Sequence, residues 1–203
     1  MNAGDIVKDF FTVKSSSEGI YKEKGSKFLS FLRPVSSEEN ARDILNEIAS
    51  LHHKSRHVCH ALRIGDGGEL ERANDAGEPK GSAGAPILNQ LHSAQLTNVI
   101  LIVVRYFGGT KLGLGGLNKA YKLAAMDAID HSVRIKYVAY STLGISFPYS
   151  ELGTVQRIID QNNWKIDKAI YEEPCLFTVS SSELTVIEMK TLLLPVSSLE
   201  ITK

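Results

Sequence analysis

The residues with the widest scope for chemistry lie in two glycine-rich segments of a 203-residue chain. The first runs from Arg105 to Gly116, RYFGGTKLGLGG. Glycines at 108, 109, 113, 115 and 116 strip away side chains there, so that backbone N–H groups can approach a ligand. Arg105 and Lys111 add charge-assisted hydrogen bonds suited to a phosphate or a carboxylate. An anion cradle is the chemical reading; the plainer alternative is that the glycines let a strand-to-helix turn pack tightly. Neither nucleotide fingerprint is met: GxxxxGK[ST] is absent, and in GLGGLN Asn118 stands where the last glycine of GxGxxG belongs.

The second segment, DAGEPKGSAGAP from Asp75 to Pro86, sets Asp75, Glu78 and Lys80 on a chain stiffened by proline and bent by glycine. Carboxylates so placed suit general acid–base work or a hard cation. The structural alternative has Asp75 closing an Asx turn and Ser82 capping the helix that follows. In SRHVCHAL, strand alternation puts His57 and Cys59 on one face and His60 on the other, so the three cannot share one metal. A Cys59–His57 nucleophile pair lacks a group to orient it, which leaves a buried thiol and a surface histidine as the expectation. Tyr106, Phe107 and Tyr121 flank the basic segment and are of the type that stacks on bases, with Phe107 expected in the core.

These residues need elements to hold them. Phe10 to Val35 reads as a hairpin about the polar turn EKGSK. Ser37, Glu38 and Glu39 precede apolar positions at 41, 44, 45, 48 and 51, the signature of a capped helix with an acidic first turn. His57 to Ile64 alternates as a strand, Ala83 to Leu91 reads as a short helix, and Asn98 to Val104, NVILIVV, reads as a strand covered on both faces. Helical spacing returns over Leu117 to Ile129. Beyond about Ser132 glycine becomes scarce and the pattern is strand 138–147, helix 149–163, strands 164–172 and 175–181, helix 183–194, strand 197–202. That is a βαββαβ order, which is ferredoxin-like. The expected division is 1–134 and 135–203. Eleven of the 16 glycines fall between Gly65 and Gly116, so a site built from backbone belongs to the first domain.

Composition narrows the class. Hydrophobic residues at 43% and charged residues at 23% describe a folding globular chain. No stretch approaches the ~18 apolar residues of a membrane helix, and MNAGDIVKDFF lacks a signal-peptide layout, so a cytoplasmic protein away from membranes is expected. Cys59 and Cys175 are the only cysteines, which excludes a disulfide scaffold and a four-cysteine zinc site. The 23 basic and 23 acidic residues cancel, yet within 97–136 Arg105, Lys111, Lys119, Lys122, Arg134 and Lys136 face only Asp127 and Asp130. A local excess of four positive charges predicts a basic patch.

DAGEPKGSAGAP and VVRYFGGTKLGLGGLNKAY, with KEKGSKF and SRHVCHA upstream, resemble the signatures of the YigZ/IMPACT family: four motifs in the family's order across the N-terminal domain. The remainder resembles, by layout, the extra C-terminal domain of the bacterial members. The resemblance implies an α+β protein, with an N-terminal β/α sandwich of the type shared by elongation factor G domain IV and small-molecule kinases, then a ferredoxin-like domain. It also implies a role near translation. Eukaryotic relatives restrain activation of the amino-acid-starvation kinase through a different appended domain, not recognisable in this sequence, so kinase regulation does not carry over. The match covers Asp75, Gly77, Glu78, Pro79, Gly81, Ala83 and Gly84, then Arg105, Gly108, Gly109, Gly113, Gly115 and Gly116, and assigns none of them a catalytic role.

Two functions follow. In the first, the Arg105–Gly116 loop and the basic helix carrying Lys119 and Lys122 engage RNA, the ribosome or another phosphate-rich partner, oriented by the second domain. In the second, an enzyme holds a nucleotide or phosphoester, a small anionic ligand, in the glycine loop while Asp75 or Glu78 binds a metal or moves a proton. Lys80 belongs to the candidate ligand set in either case. No metal site is expected and no cofactor is identified. A third reading is an adaptor that exposes a sheet face of its second domain.

Overall fold

The computed structural model describes residues 10–196 and 198–202; the opening residues 1–9, read above for a leader, lie outside them. By its contacts the chain divides into Met1–Tyr137 and Val138–Lys203. The division falls three residues beyond the expected one because β7, Arg134–Tyr137, pairs antiparallel with β1, Phe10–Val13, in register Phe10 to Tyr137.

In the first unit β2, Ser17–Glu23, and β3, Ser26–Pro34, form a hairpin through Lys24 and Gly25. Both turn residues have positive φ, 44° and 77°, the geometry whose twist matches the strands it joins. The single hairpin expected over Phe10–Val35 therefore separates into β1 and this pair. Helix α1, Glu38–Leu51, begins at Ser37, whose hydroxyl accepts the Asn40 N–H at 3.1 Å. Then come β4, His57–Ile64; β5, Leu70–Asn74; α2, Gly84–Ser93; β6, Val99–Tyr106; and α3, Gly113–Asp130.

Five strands make one antiparallel sheet in the order β2-β3-β6-β4-β5. One face packs Phe28, Leu32, Cys59, Leu101 and Val103 against α2 and α3, with Ile87, Leu91, Leu117, Ala120 and Tyr121 among the buried contacts. The other packs Phe31, Leu62, Ile100, Ile102 and Val104 against Ala41 and Ile48 of α1. Central β6 thus alternates between two cores, which is why its sequence does not alternate in polarity. Burying each such side chain stabilises the fold by about 1.5–3 kcal/mol.

The second unit contains β8, Ser141–Phe147; a short 3-10 turn, Tyr149–Glu151, leading into α4, Leu152–Gln161; β9, Lys165–Ile170; β10, Cys175–Ser181; α5, Val186–Leu193; and β11, Glu200–Thr202. Its antiparallel sheet runs β11-β8-β10-β9, so the βαββαβ order closes in the ferredoxin-like manner. Val155, Ile159, Met189 and Leu193 from the helices cover Ile145, Phe147, Phe177 and Val179. A capping box between Thr185 and Glu188 fixes the start of α5.

Candidate functional site

The segment between β5 and α2 is a turn organised by one carboxylate. Asp75 Oδ1 accepts the N–H groups of Ala83 at 3.0 Å and Gly84 at 2.8 Å, while Oδ2 accepts that of Gly81 at 2.8 Å. Asp75 thereby caps α2 from outside the helix and meets its positive end with negative charge. Burial acts to raise the Asp75 pKa, but the three N–H groups outweigh it and hold the carboxyl below its ordinary range. The capping expected of Ser82 does not occur: its hydroxyl donates to the Pro79 carbonyl at 2.6 Å, and Asp75 has already satisfied the helix. Lys80 is exposed.

Glu78 leaves this turn for the interior. Arg105, at the end of β6, donates from Nη1 to both Glu78 oxygens, at 2.7 and 3.0 Å, and the Tyr121 hydroxyl of α3 donates to Oε1 at 2.8 Å. The Arg105 and Glu78 side chains are 7% and 4% exposed. Cys59 Sγ lies 3.0 Å from the Asp75 carbonyl and 3.3 Å from the Tyr121 hydroxyl, so its one S–H serves either. Burial above all pushes the Cys59 thiol up to about 12 against the lowering effect of Tyr121, and burial likewise raises the Tyr121 phenol. The two glycine-rich motifs meet in a buried network of no net charge that ties the Asp75 turn to β4, β6 and α3. Arg105, expected as a loop residue open to an anion, is a strand residue clasped by Glu78.

The exposed part of the second motif begins after it. Phe107, expected in the core, is 56% exposed. The β2–β3 turn already fills the space beneath the loop: Gly108 lies against the backbone of Gly25, where a Cβ would overlap Gly25 and Ser26, and its N–H donates to Ser26 Oγ at 3.1 Å. Gly109 and Gly113 have φ of +90° and +70°, backbone that favours glycine. Gly115 is different, because its φ is unexceptional and a Cβ there would meet nothing within 4 Å. Gly113, Gly115 and Gly116, expected in the loop, form the first turn of α3, which starts four residues before the expected Leu117. Leu112 at its N-cap offers no side-chain hydrogen bond, no acid lies in its first turn, and no side chain among the described residues is seen to cap it.

Lys111, Lys119 and Lys122 are exposed, and none forms an ion pair among the described residues. Lys119 and Lys122 line, with Asn89, Gln90 and Asn118, a groove of about 500 Å³ between α2 and α3. Arg134 and Lys136 lie on β7 instead. Strand alternation holds in β4: His57 Nδ1 lies 2.9 Å from the Ala76 carbonyl, on the side of Cys59, while His60 faces α1 residues and burial lowers its pKa. Sequence reasoning passed over Lys54 and gave no role to Ser55 and Arg56, which open the SRHVCHAL segment. They stand with His57, Arg105 and Phe107 around a cavity of about 380 Å³. The basic pair in KSR immediately before β4 was the only signal available. Among the described residues no three His, Cys, Asp or Glu side chains gather to hold a metal ion.

The Impact N-terminal domain profile matches residues 24–129. The IMPACT family member YvyE of Bacillus subtilis is 32% identical over 168 residues, spanning 83% of this chain and 77% of that protein. The IMPACT family member YigZ of Escherichia coli is 29% identical over 167 residues, spanning 81% and 82%. A crystal structure of a hypothetical protein, 26% identical, covers 97% of both chains with a TM-score of 0.69.

Proposed function

The chain belongs to the IMPACT family, and from that premise we propose that it is a translation-associated binding protein that docks a phosphate-rich partner, RNA or the ribosome, on the surface from Phe107 to Lys122. Gly115 carries the reading. A glycine in a helix costs about 1 kcal/mol relative to alanine, and at this position neither φ nor neighbouring atoms require one. Bare backbone there serves something outside the chain. A phosphate oxygen approaching the uncapped start of α3 meets free N–H groups and the positive end of the helix dipole, with Lys111, Lys119 and Lys122 adding long-range attraction. The exposed Phe107 ring offers a stacking surface for an unpaired base.

The translation setting rests on the family resemblance and a cytoplasmic location on the sequence, which shows no long apolar run; the structure contributes that no described helix is long and apolar enough to cross a membrane. The enzyme reading loses support from the geometry, because it needs Asp75 or Glu78 free. Each carboxylate already accepts three hydrogen bonds from the chain itself. The test is binding of single-stranded RNA and of ribosomes at two salt concentrations, by the parent chain and by K111A/K119A/K122A. Arg105 stays out of the variant because it is structural. Removing three phosphate contacts should lower the slope of log affinity against log salt by roughly 2. An unaltered slope would sink the assignment.

A further inference from the structure

Arg105 uses only part of its guanidinium on Glu78. Both hydrogen bonds come from Nη1, whereas Nε is buried and meets no acceptor among the described residues. The planar group is held in place between two rings, 5.6 Å from the Phe28 centroid and 5.4 Å from that of Phe107. It lines the cavity together with Lys54, Ser55, Arg56, His57 and Phe107, and Ser55 Oγ is likewise buried and unpartnered. Arg105 and Ser55 both line this cavity and each keeps a polar atom buried without a partner behind its surface, so a ligand oxygen that displaces the covering atoms gains two hydrogen bonds. Lys54 and Arg56 stand exposed at the rim, and neither pairs with an acid among the described residues. Among the described residues no acidic one lines the cavity.

We propose that this cavity binds a phosphate monoester: the terminal phosphate of a nucleoside monophosphate or of a 5′-phosphorylated RNA, with its base against Phe107. The charge count selects the ligand class. Glu78 neutralises Arg105 and leaves it as an oriented donor, so Lys54 and Arg56 match the two negative charges of a monoester better than the single charge of a diester or carboxylate. A volume of about 380 Å³ admits a phosphate with part of its nucleoside, while the rest reaches the half-exposed ring. The cavity shares only Phe107 with the docking surface proposed above, so either site can fail alone.

The experiment is calorimetric titration of the intact chain with adenosine 5′-monophosphate, adenosine, and an oligoadenylate bearing a 5′-phosphate or a 5′-hydroxyl. The probes are repeated on K54A/R56A, two exposed positions whose substitution should leave the fold intact, as thermal unfolding checks. A phosphorylated probe should bind at least tenfold more tightly than its unphosphorylated counterpart, and K54A/R56A should remove that preference. Preference shown by the mononucleotide identifies a free nucleotide as the source. Preference shown by the oligonucleotide alone identifies an RNA end. Equal affinity for phosphorylated and unphosphorylated probes, or a preference that survives K54A/R56A, overturns the proposal, even if 5′-hydroxyl RNA still binds through Lys111, Lys119 and Lys122.

Discussion

Replacing Glu78 with alanine removes the acceptor of three hydrogen bonds, two from Arg105 and one from Tyr121, and strands the Arg105 cation in a site where its side chain is 7% exposed. Breaking a buried ion pair from one side destabilises a protein by about 3–5 kcal/mol, because the remaining charge stays desolvated. A first unit of this size loses roughly 3–4 °C of melting temperature per kcal/mol, so the expected drop is roughly 10–20 °C. Urea unfolding followed by far-ultraviolet dichroism measures the free energy. Glu18→Ala is the control: that carboxylate pairs with Arg33 but is 64% exposed, and its loss should cost less than about 1 kcal/mol. Substituting both partners, Glu78→Leu with Arg105→Met, should restore most of the stability, since no charge is left buried. If Glu78→Ala costs less than about 1 kcal/mol, or if the double variant is as unstable as the single, the network is not the framework described here.

The other expectations are shorter. Asp75→Ala should cost about 1–2 kcal/mol near pH 7 by uncapping α2. The folded Asp75 pKa is depressed, so its contribution is complete above the unfolded value of roughly 3.9 and is lost as pH falls through the lower folded value; the gap between parent and variant should close on acidification. Gly115→Ala and Gly108→Ala should move stability in opposite directions. The first should add up to about 1 kcal/mol, and the second should remove about 3 kcal/mol or more by overlap with the Gly25 backbone. Both cysteines are buried, and Cys59 has its thiol pushed up to about 12, so a thiol reagent at pH 8 should label neither in the folded protein and both after unfolding.

Much of this architecture was legible because periodicity and capping are local signals. NVILIVV announced a doubly covered strand, Ser37 with two glutamates announced α1, and alternating segments after residue 137 announced a ferredoxin-like unit. β5 and β7 were not legible, because LERAN and RIKY are largely exposed and show no apolar face to read. The first turn of α3 was missed for the opposite reason, since three glycines in four residues argue against a helix that tertiary packing nevertheless extends. Arg105 and Glu78 could be nominated from their motifs but not paired, being 27 residues apart and joined only when the Asp75 turn closes over β6. Phe107 was assigned to the core by its type, although the β2–β3 turn under Gly108 leaves it half outside. Lys54 lay outside every motif and Arg56 stood at the edge of SRHVCHA without a role, and only the end of β6 lying beside the start of β4 makes them part of a cavity.

The most direct measurement is a ¹H–¹⁵N spectrum of the whole chain during titration with single-stranded RNA at low salt. The docking surface predicts the largest shifts at the backbone amides of residues 113–116, with smaller ones at Lys111, Lys119 and Lys122, all of them reversed by added salt. Shifts confined to the Val138–Lys203 unit, or a spectrum that does not move, would contradict a partner seated on the bare start of α3.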